Sequence, residues 1–287
     1  MPDILCPVCR SVFVQSPARW RCANGHCFDV ARQGYVNLLP VTQKHALHPG
    51  DTMAQTAARR AFLSAGYYAP LAQAVCRQVQ AFSPRTVLDV GCGEGYYTGL
   101  VEETLPEAWV MGLDISKDAV RLAAGRYKNC RFLCATAAHL PFPDGSFDLI
   151  MSLFALTVPG EFARVLRPGG HLVQVLAGED HLLELKSVIY PEVFRREKDT
   201  VPQLPGFALV STRQISFPVT VEGQQIQHLL AMTPHYWRIT KDGAARLAEL
   251  TRLDDRVSAI MNVYRREAGC GFTFPGFSGT MQANTGR

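Results

Sequence analysis

From residue 86 to residue 176 the chain alternates between two kinds of pattern. Short apolar runs that read as buried strands are separated by stretches with helical spacing. TVLDV (86–90) is β-branched and apolar, and Gly91, Gly93 and Gly95 follow it at once; a helix pattern begins near Tyr97. AWVMGLDIS (108–116) reads as a second strand with Asp114 at its end. RFLCATAAHLPFPDGSFDLIMSLFA (131–155) holds a strand, a loop through Leu-Pro-Phe, an Asp-Gly-Ser turn and a further strand over 147–152. EFARVLRPGGHLVQVL (161–176) adds a helix, a Pro-Gly-Gly turn and a strand. Strands alternating with helices predict an α/β fold with a doubly wound, Rossmann-like sheet, its ligand at the strands' carboxyl ends.

The residue types at those ends suggest the ligand. Glycines let the backbone turn sharply and approach a bound molecule with no Cβ in the way. Asp114 stands 21 residues after Gly93, where an acid accepts hydrogen bonds from the ribose hydroxyls of an adenosine. The glycines read G-x-G-x-G, not the G-x-G-x-x-G of dinucleotide folds.

A different pattern stands at the front, in CPVCRSVFVQSPARWRCANGHCFDVARQGYVNLLP (6–40). Two residues between Cys6 and Cys9 make a turn that aims both sulfurs one way. Cys22 and His26 form a second half-site after a spacer of twelve residues. A Cys3His set leaves no open coordination position, which marks a structural zinc site. Cys22 with Cys27 is the alternative half-site, with His26 the preferred ligand. So short a segment cannot bury enough surface to stand alone, and zinc supplies its folding energy. The expected organisation is a zinc-binding domain over 1–38, a linker over 39–58, a catalytic domain over 59–267 and a loose tail over 268–287.

Composition and charge sharpen this. The 287 residues are 47% hydrophobic and 19% charged, an ordinary globular balance. No apolar run approaches the roughly 20 residues of a membrane helix. MPDILCPVC lacks the parts of a signal peptide. Nine cysteines, an odd count, fit reduced thiols and a metal site better than disulfides. A cytoplasmic protein is expected. The net charge is +4, and residues 1–60 hold seven Lys/Arg against three Asp/Glu while the rest hold 22 of each. That excess suits an anionic partner such as nucleic acid, or is an ordinary solvated surface.

The series LPFPDGSFD followed by RVLRPGG, with the core segments in order from 86 to 176, resembles the class I S-adenosylmethionine-dependent methyltransferases. The resemblance implies that Asp89, Gly91, Gly93 and Asp114 line the cofactor, with Asp114 on the ribose. Many relatives carry an acid where this chain has Thr136, so backbone at Ala137 is expected to meet the adenine. Outside the core, CPVC, CANGHCFDVARQGYVNLLP, HPGDT, ARRAFLSAGYYAPL, HLLELK and MTPHYWR narrow the likeness. With these strings the chain resembles the bacterial 23S rRNA guanine-N1 methyltransferases, a family that includes tylosin-type resistance enzymes. By that resemblance Cys6, Cys9, Cys22 and His26 bind zinc. Tyr68, the Cys92–Gly93 turn and His181 contact S-adenosylmethionine, a 23S rRNA hairpin is the substrate, and the chain pairs as a homodimer.

The residues themselves leave alternatives. Tyr68 reads as a lid over the cofactor or as core, and His181 as a ligand contact or a structural histidine. Guanine N1 lies on the pairing edge, so the target base must be unpaired or turned out and stacked on aromatic faces. Phe154, Tyr236 and Trp237 are candidates for that pocket, with core packing as the other reading. Relatives have proline after Phe154-Ala155; this chain has Leu156-Thr157 at what is expected to be the pocket's border. Arg19, Arg21, Arg32 and Lys44 are candidate phosphate contacts. The Arg59–Arg60 pair reads as a solvated helix face. No residue marks itself as the base that takes the N1 proton, and Asp148 belongs to the strand pattern. Two other functions share parts of this pattern. A small-molecule methyltransferase has the same core without needing the front domain, and a non-catalytic RNA-binding module has a vestigial cofactor fold.

Overall fold

The computed structural model describes residues 1–40, 50–193 and 199–268; Lys44, part of the expected linker and the tail from 269 onward lie outside the described residues. Three short strands, β1 (Phe13–Gln15), β2 (Arg19–Cys22) and β3 (Cys27–Asp29), form an antiparallel ribbon. β4 (Val36–Asn37) leaves the ribbon and pairs elsewhere. Then come α1 (Met53–Ser64), α2 (Ala69–Gln80), β5 (Thr86–Val90), α3 (Tyr96–Thr104), β6 (Trp109–Asp114) and α4 (Lys117–Arg126). β7 (Arg131–Cys134), β8 (Phe147–Leu153), α5 (Pro159–Val165), β9 (Leu166–Ala177) and α6 (Leu183–Ile189) complete the alternating part. β10 (Phe207–Glu222), α7 (Gln224–Ala231), α8 (Lys241–Glu249) and β11 (Arg252–Arg266) close the described chain. Among the described residues no helix is long and apolar enough to cross a membrane.

Eight strands form one sheet in the order β10-β11-β9-β8-β5-β6-β7-β4. β4 through β9 run parallel, while β11 and β10 add an antiparallel edge. The chain winds outward from β5 through β6 to β7, then crosses back to place β8 on the other side of β5. That reversal between β5 and β8 opens a crevice at their carboxyl ends, where doubly wound sheets bind ligands. Val87, Leu88, Leu149 and Ile150 are fully buried, which is why these central strands read as continuous apolar runs. The expected Pro-Gly-Gly turn is an excursion inside β9: Leu166 pairs with Phe147 and His171 with Leu149, so residues 167–170 loop out of the ladder.

The boundaries differ from expectation in two places. β4, inside the segment assigned to the front domain, is the outermost parallel strand of the large sheet. Residues 53–58, assigned to the linker, are the first half of α1. Its start is fixed by a capping box in which Thr52 Oγ1 accepts from Gln55 N and Gln55 Oε1 accepts from Thr52 N.

The ribbon shares one hydrophobic core with the sheet. Ile4, Phe13 and Trp20 pack with Leu88, Leu133 and Phe142 in a single cluster. Arg10 donates to the carbonyls of Leu140 (3.0 Å) and Phe142 (3.3 Å). The Arg131 guanidinium lies over the Trp20 ring at 5.9 Å and donates to Gln15 Oε1 at 2.8 Å. Because Trp20 fills this junction, Trp20→Ala should cost about 3 kcal/mol or more. A matching fall in the urea midpoint of the whole chain checks this; a shift confined to zinc content would contradict the shared core.

Candidate active site and metal centre

The ribbon's turns bring together the four expected ligands. The sulfurs of Cys6, Cys9 and Cys22 and a ring nitrogen of His26 all lie within 4.8 Å of one another. Cys9 Sγ is 3.6 Å from Cys22 Sγ, and Cys22 Sγ is 3.3 Å from His26 Nδ1. A tetrahedral zinc with sulfurs at about 2.3 Å sets a sulfur–sulfur spacing of about 3.8 Å, so the set fits the ion. The Ser11 hydroxyl beside Cys9 pushes its thiol down to about 5, toward the thiolate a metal needs. Cys27, the alternative ligand, is exposed and donates to the Gly25 carbonyl at 3.5 Å. Its removal should therefore leave metal content unchanged. In Cys9→Ser, zinc measured by atomic emission on the purified chain should fall from about one per chain toward zero, while Cys27→Ser keeps it. The reverse ranking would reassign the site.

The second site sits at the crevice between β5 and β8. A cavity of about 1300 Å³ opens there, larger than the ~300–1,000 Å³ usual for one small ligand. Gly91, Cys92 and Gly93 form one stretch of its wall, and Tyr68, Phe154 and His181 another. Tyr190, His235, Trp237 and Arg238 line a further stretch. Seven of the expected residues thus meet in one cavity: Tyr68, Gly91, Cys92, Gly93, Phe154, His181 and Trp237. Asp89, Asp114, Ala137 and Tyr236 are not among its lining residues.

Asp114 stands at the end of β6, as the spacing predicts, and its carboxylate accepts one backbone amide on each oxygen, which leaves further acceptor sites. Gly93 N donates to Oδ2 (2.9 Å) and Ser116 N to Oδ1 (2.8 Å). It pins the glycine turn to β6, and burial pushes its carboxyl above the usual range. Asp89 is buried and accepts from Thr98 Oγ1 at 2.7 Å. Burial pushes Asp89 and its neighbour Glu94 each up to about 7. Ala137 lies in a 3-10 turn whose preceding residue, Thr136, caps it by accepting from Ala138 N.

Tyr68 is both lining and core. It is 2% exposed and packs edge-on against Phe62, Phe217 and His181. Burial pushes its hydroxyl well above the ordinary range, so it stays protonated. Ser258 N donates to His181 Nδ1 at 3.3 Å, which leaves the ring proton on Nε2, 3.5 Å from Tyr68 Oη. His181 also stacks on Phe154 at 5.8 Å and 29°. Phe154 adopts φ +54, a left-handed conformation that costs a bulky residue energy and clusters at functional sites. Tyr236 meets Trp237 edge-on at the rim. Leu156 is 75% exposed and outside the lining, and Thr157 accepts from Gln174 Nε2 at 2.8 Å. The border position is therefore turned away from the cavity.

Three residues beyond the expected set stand out. Tyr97 lines the cavity, and its buried hydroxyl has no hydrogen-bond partner among the described residues. Such an orphan costs about 1–3 kcal/mol unless a ligand satisfies it. Together with the Cβ-free turn, this fits a polar cofactor. Arg59, expected on a solvated face, turns inward and pairs with Asp51 at 2.5 Å, both lining the cavity; Arg60 alone is exposed. The signal was present: Thr52 and Gln55 make a capping box, and Arg59 follows the buried Gln55 by four residues, on the same helix face. Among the candidate phosphate contacts, Arg19, Arg21 and Arg32 are all exposed, and Arg19 also pairs with Asp29 at 3.0 Å.

A ribbon with a Cys3His cluster packed on a doubly wound sheet, with a glycine turn at its switch point, is the architecture of a cofactor-binding enzyme with a structural metal centre. Residues 87–170 match the family model "Methyltransferase domain", and residues 4–47 match the zinc-ribbon model "RlmA, N-terminal". The chain is 37% identical over 254 residues to the 23S rRNA (guanine(748)-N(1))-methyltransferase of Streptomyces fradiae, covering 85% of this chain and 90% of that one. It is 30% identical over 267 residues to YxjB of Bacillus subtilis (strain 168), covering 87% and 92%; that protein's name assigns a 23S rRNA guanine-N1 activity provisionally. The chain belongs to the 23S rRNA (guanine-N1)-methyltransferase family.

Proposed function

We propose that the protein transfers a methyl group from S-adenosylmethionine to N1 of a guanine in a hairpin loop of bacterial 23S rRNA, in the cytoplasm and as a homodimer. One observation carries the reading. In a chain of this family, a single cavity joins the glycine turn to an aromatic, basic rim, with room for a cofactor and a turned-out base together. When bound, S-adenosylmethionine supplies a sulfonium methyl already activated for in-line displacement. The chain's own residues bind, orient and exclude water.

In this reading Gly91, Cys92 and Gly93 hold the cofactor through backbone, and Tyr68 and His181 close over it. The Tyr97 hydroxyl gains the partner it lacks. Asp114 holds the ribose hydroxyls, and Asp114 and Asp89 also fix the turn and the start of α3. Phe154, backed by His181, offers a face for the target base, and Trp237 at 67% exposure offers a second at the rim. Guanine N1 must lose its proton. Glu192 and His235, with Tyr190 Oη 3.0 Å from His235 Nδ1, place a carboxylate and an imidazole in the same wall. Arg21 on β2 and Arg32 beyond β3 are exposed and suit RNA phosphates. A small-molecule acceptor leaves the ribbon and the exposed aromatic rim without a task.

Labelled S-adenosylmethionine incubated with the zinc-loaded chain and 23S rRNA should label the RNA. Reverse transcription should then stop at one guanine, because N1 methylation blocks pairing. Phe154→Ala should lower the initial rate about tenfold or more, the worth of one stacked base. Label found only in a metabolite fraction would overturn the assignment.

A further inference from the structure

The inward turn of Arg59 places an unusual pair of charges on the cavity wall. Arg59 and Asp51 are 27% and 30% exposed, so neither is fully solvated and neither is sealed away. The guanidinium lies against the glycine turn: a Cβ added to Gly93 would sit 3.5 Å from Arg59 Nη1. On its other side Nη2 donates to the Met232 carbonyl at 3.3 Å. The segment carrying Asp51 is also fixed. Its carbonyl accepts from Ser116 Oγ at 2.9 Å, and Gly50 approaches Ser116 so closely that a Cβ there would lie 2.9 Å from the Ser116 Cβ. Of the five N–H donors of the guanidinium, the ion pair and Met232 engage two. A cation and an anion are thus held side by side next to the turn, with donors to spare. Glu94, 4% exposed and also lining the cavity, adds a second acid nearby.

Adenine and ribose are uncharged at neutral pH. The amino-acid end of S-adenosylmethionine is a zwitterion, a carboxylate beside an ammonium. We infer that Arg59 and Asp51 recognise that end, the Arg59 guanidinium bonding its carboxylate and the Asp51 carboxylate its ammonium. Each charge of the protein pair then keeps an opposite neighbour, so binding strands neither. This deepens the function proposed above and rests on it. It also gives the segment entering α1 a direct part in cofactor binding.

The competing role is purely structural: the pair clamps residues 50–52 and touches no ligand. Two probes separate the two. S-adenosylhomocysteine keeps the amino-acid end; 5′-methylthioadenosine keeps adenine, ribose and thioether but lacks it. Both are titrated calorimetrically into the zinc-loaded chain and its Arg59→Gln, Arg59→Lys and Asp51→Asn variants. Arg59→Gln should weaken S-adenosylhomocysteine about tenfold or more, the loss expected of a charged hydrogen bond, and leave 5′-methylthioadenosine within about twofold. Asp51→Asn should show the same selectivity, and Arg59→Lys a smaller loss, because charge remains while the two-pronged geometry is gone. Equal losses for both probes would mean a structural clamp, and unchanged S-adenosylhomocysteine affinity would mean no contact; either overturns the inference. Wild-type chain that binds neither probe would instead remove the cofactor reading, and this assignment with it.

Discussion

Where the loops after β5 and β8 meet there is no space for a side chain. A Cβ on Gly91 would fall 2.5 Å from the Cβ of Ala155, a distance that real structures do not tolerate. The approach is forced by topology, because β5 and β8 are neighbours at the point where the winding reverses. From it the rest of the site follows. With the turn pressed against the β8 loop, Gly93 N faces Asp114 and Arg59 lies along its other side. Phe154, immediately before Ala155, is bent to φ +54, which lays its ring on His181. His181 in turn is held by Ser258 on β11, so the antiparallel edge strands also help to set the cavity wall.

The metal centre is tied into the same structure more firmly than a separate finger would be. Cys6 and Cys22 belong to the cluster that contains Leu88 and Met111 of the central strands. Two arginines from opposite sides hold the same loop: Arg10 of the ribbon and Arg164 of α5 both donate to the carbonyls of Leu140 and Phe142. Loss of the metal would free ligands that are themselves core residues. The ribbon is therefore a fixed projection of the enzyme, and whatever it grips is presented at one orientation relative to the crevice.

How far the sequence discloses this depends on what kind of contact makes each feature. The parallel strands are legible because burial on both faces leaves a continuous apolar run. The zinc ligands are legible because metal geometry dictates spacing, and the same geometry separates His26 from Cys27 once the turn is seen. The long β10–β11 pair is not legible from the motifs. β10 is an edge strand with Leu209 and Val210 half exposed, so its pattern lacks the clean alternation of a covered sheet face. Asp114 is only partly legible: its position follows from spacing, but no one-dimensional pattern records that two backbone amides also reach its oxygens. Arg59 is not legible as a cavity residue because two adjacent arginines on a helix normally mean solvent, although adjacent positions face about 100° apart.

The inward turn of Arg59 changes what the charge of the front segment means. The excess of positive charge in residues 1–60 suggests an anionic partner, yet the count treats every cation alike. Arg10 is spent on two carbonyls and Arg59 on Asp51, and Arg19 shares the surface with Asp29. Arg21, Arg32 and Arg60 are exposed, and among the described residues no carboxylate pairs with them. Net charge thus overstates the surface available to phosphate and hides where the buried cations work. An arginine held beside an acid in a cavity contributes almost nothing to the long-range field, but it can discriminate sharply between ligands that differ by a zwitterion. The front of this chain therefore holds one residue type in two electrostatic settings. The exposed guanidiniums suit a polyanion through a screened, additive attraction. The enclosed one acts over a single hydrogen-bond length, where salt has little effect and geometry decides.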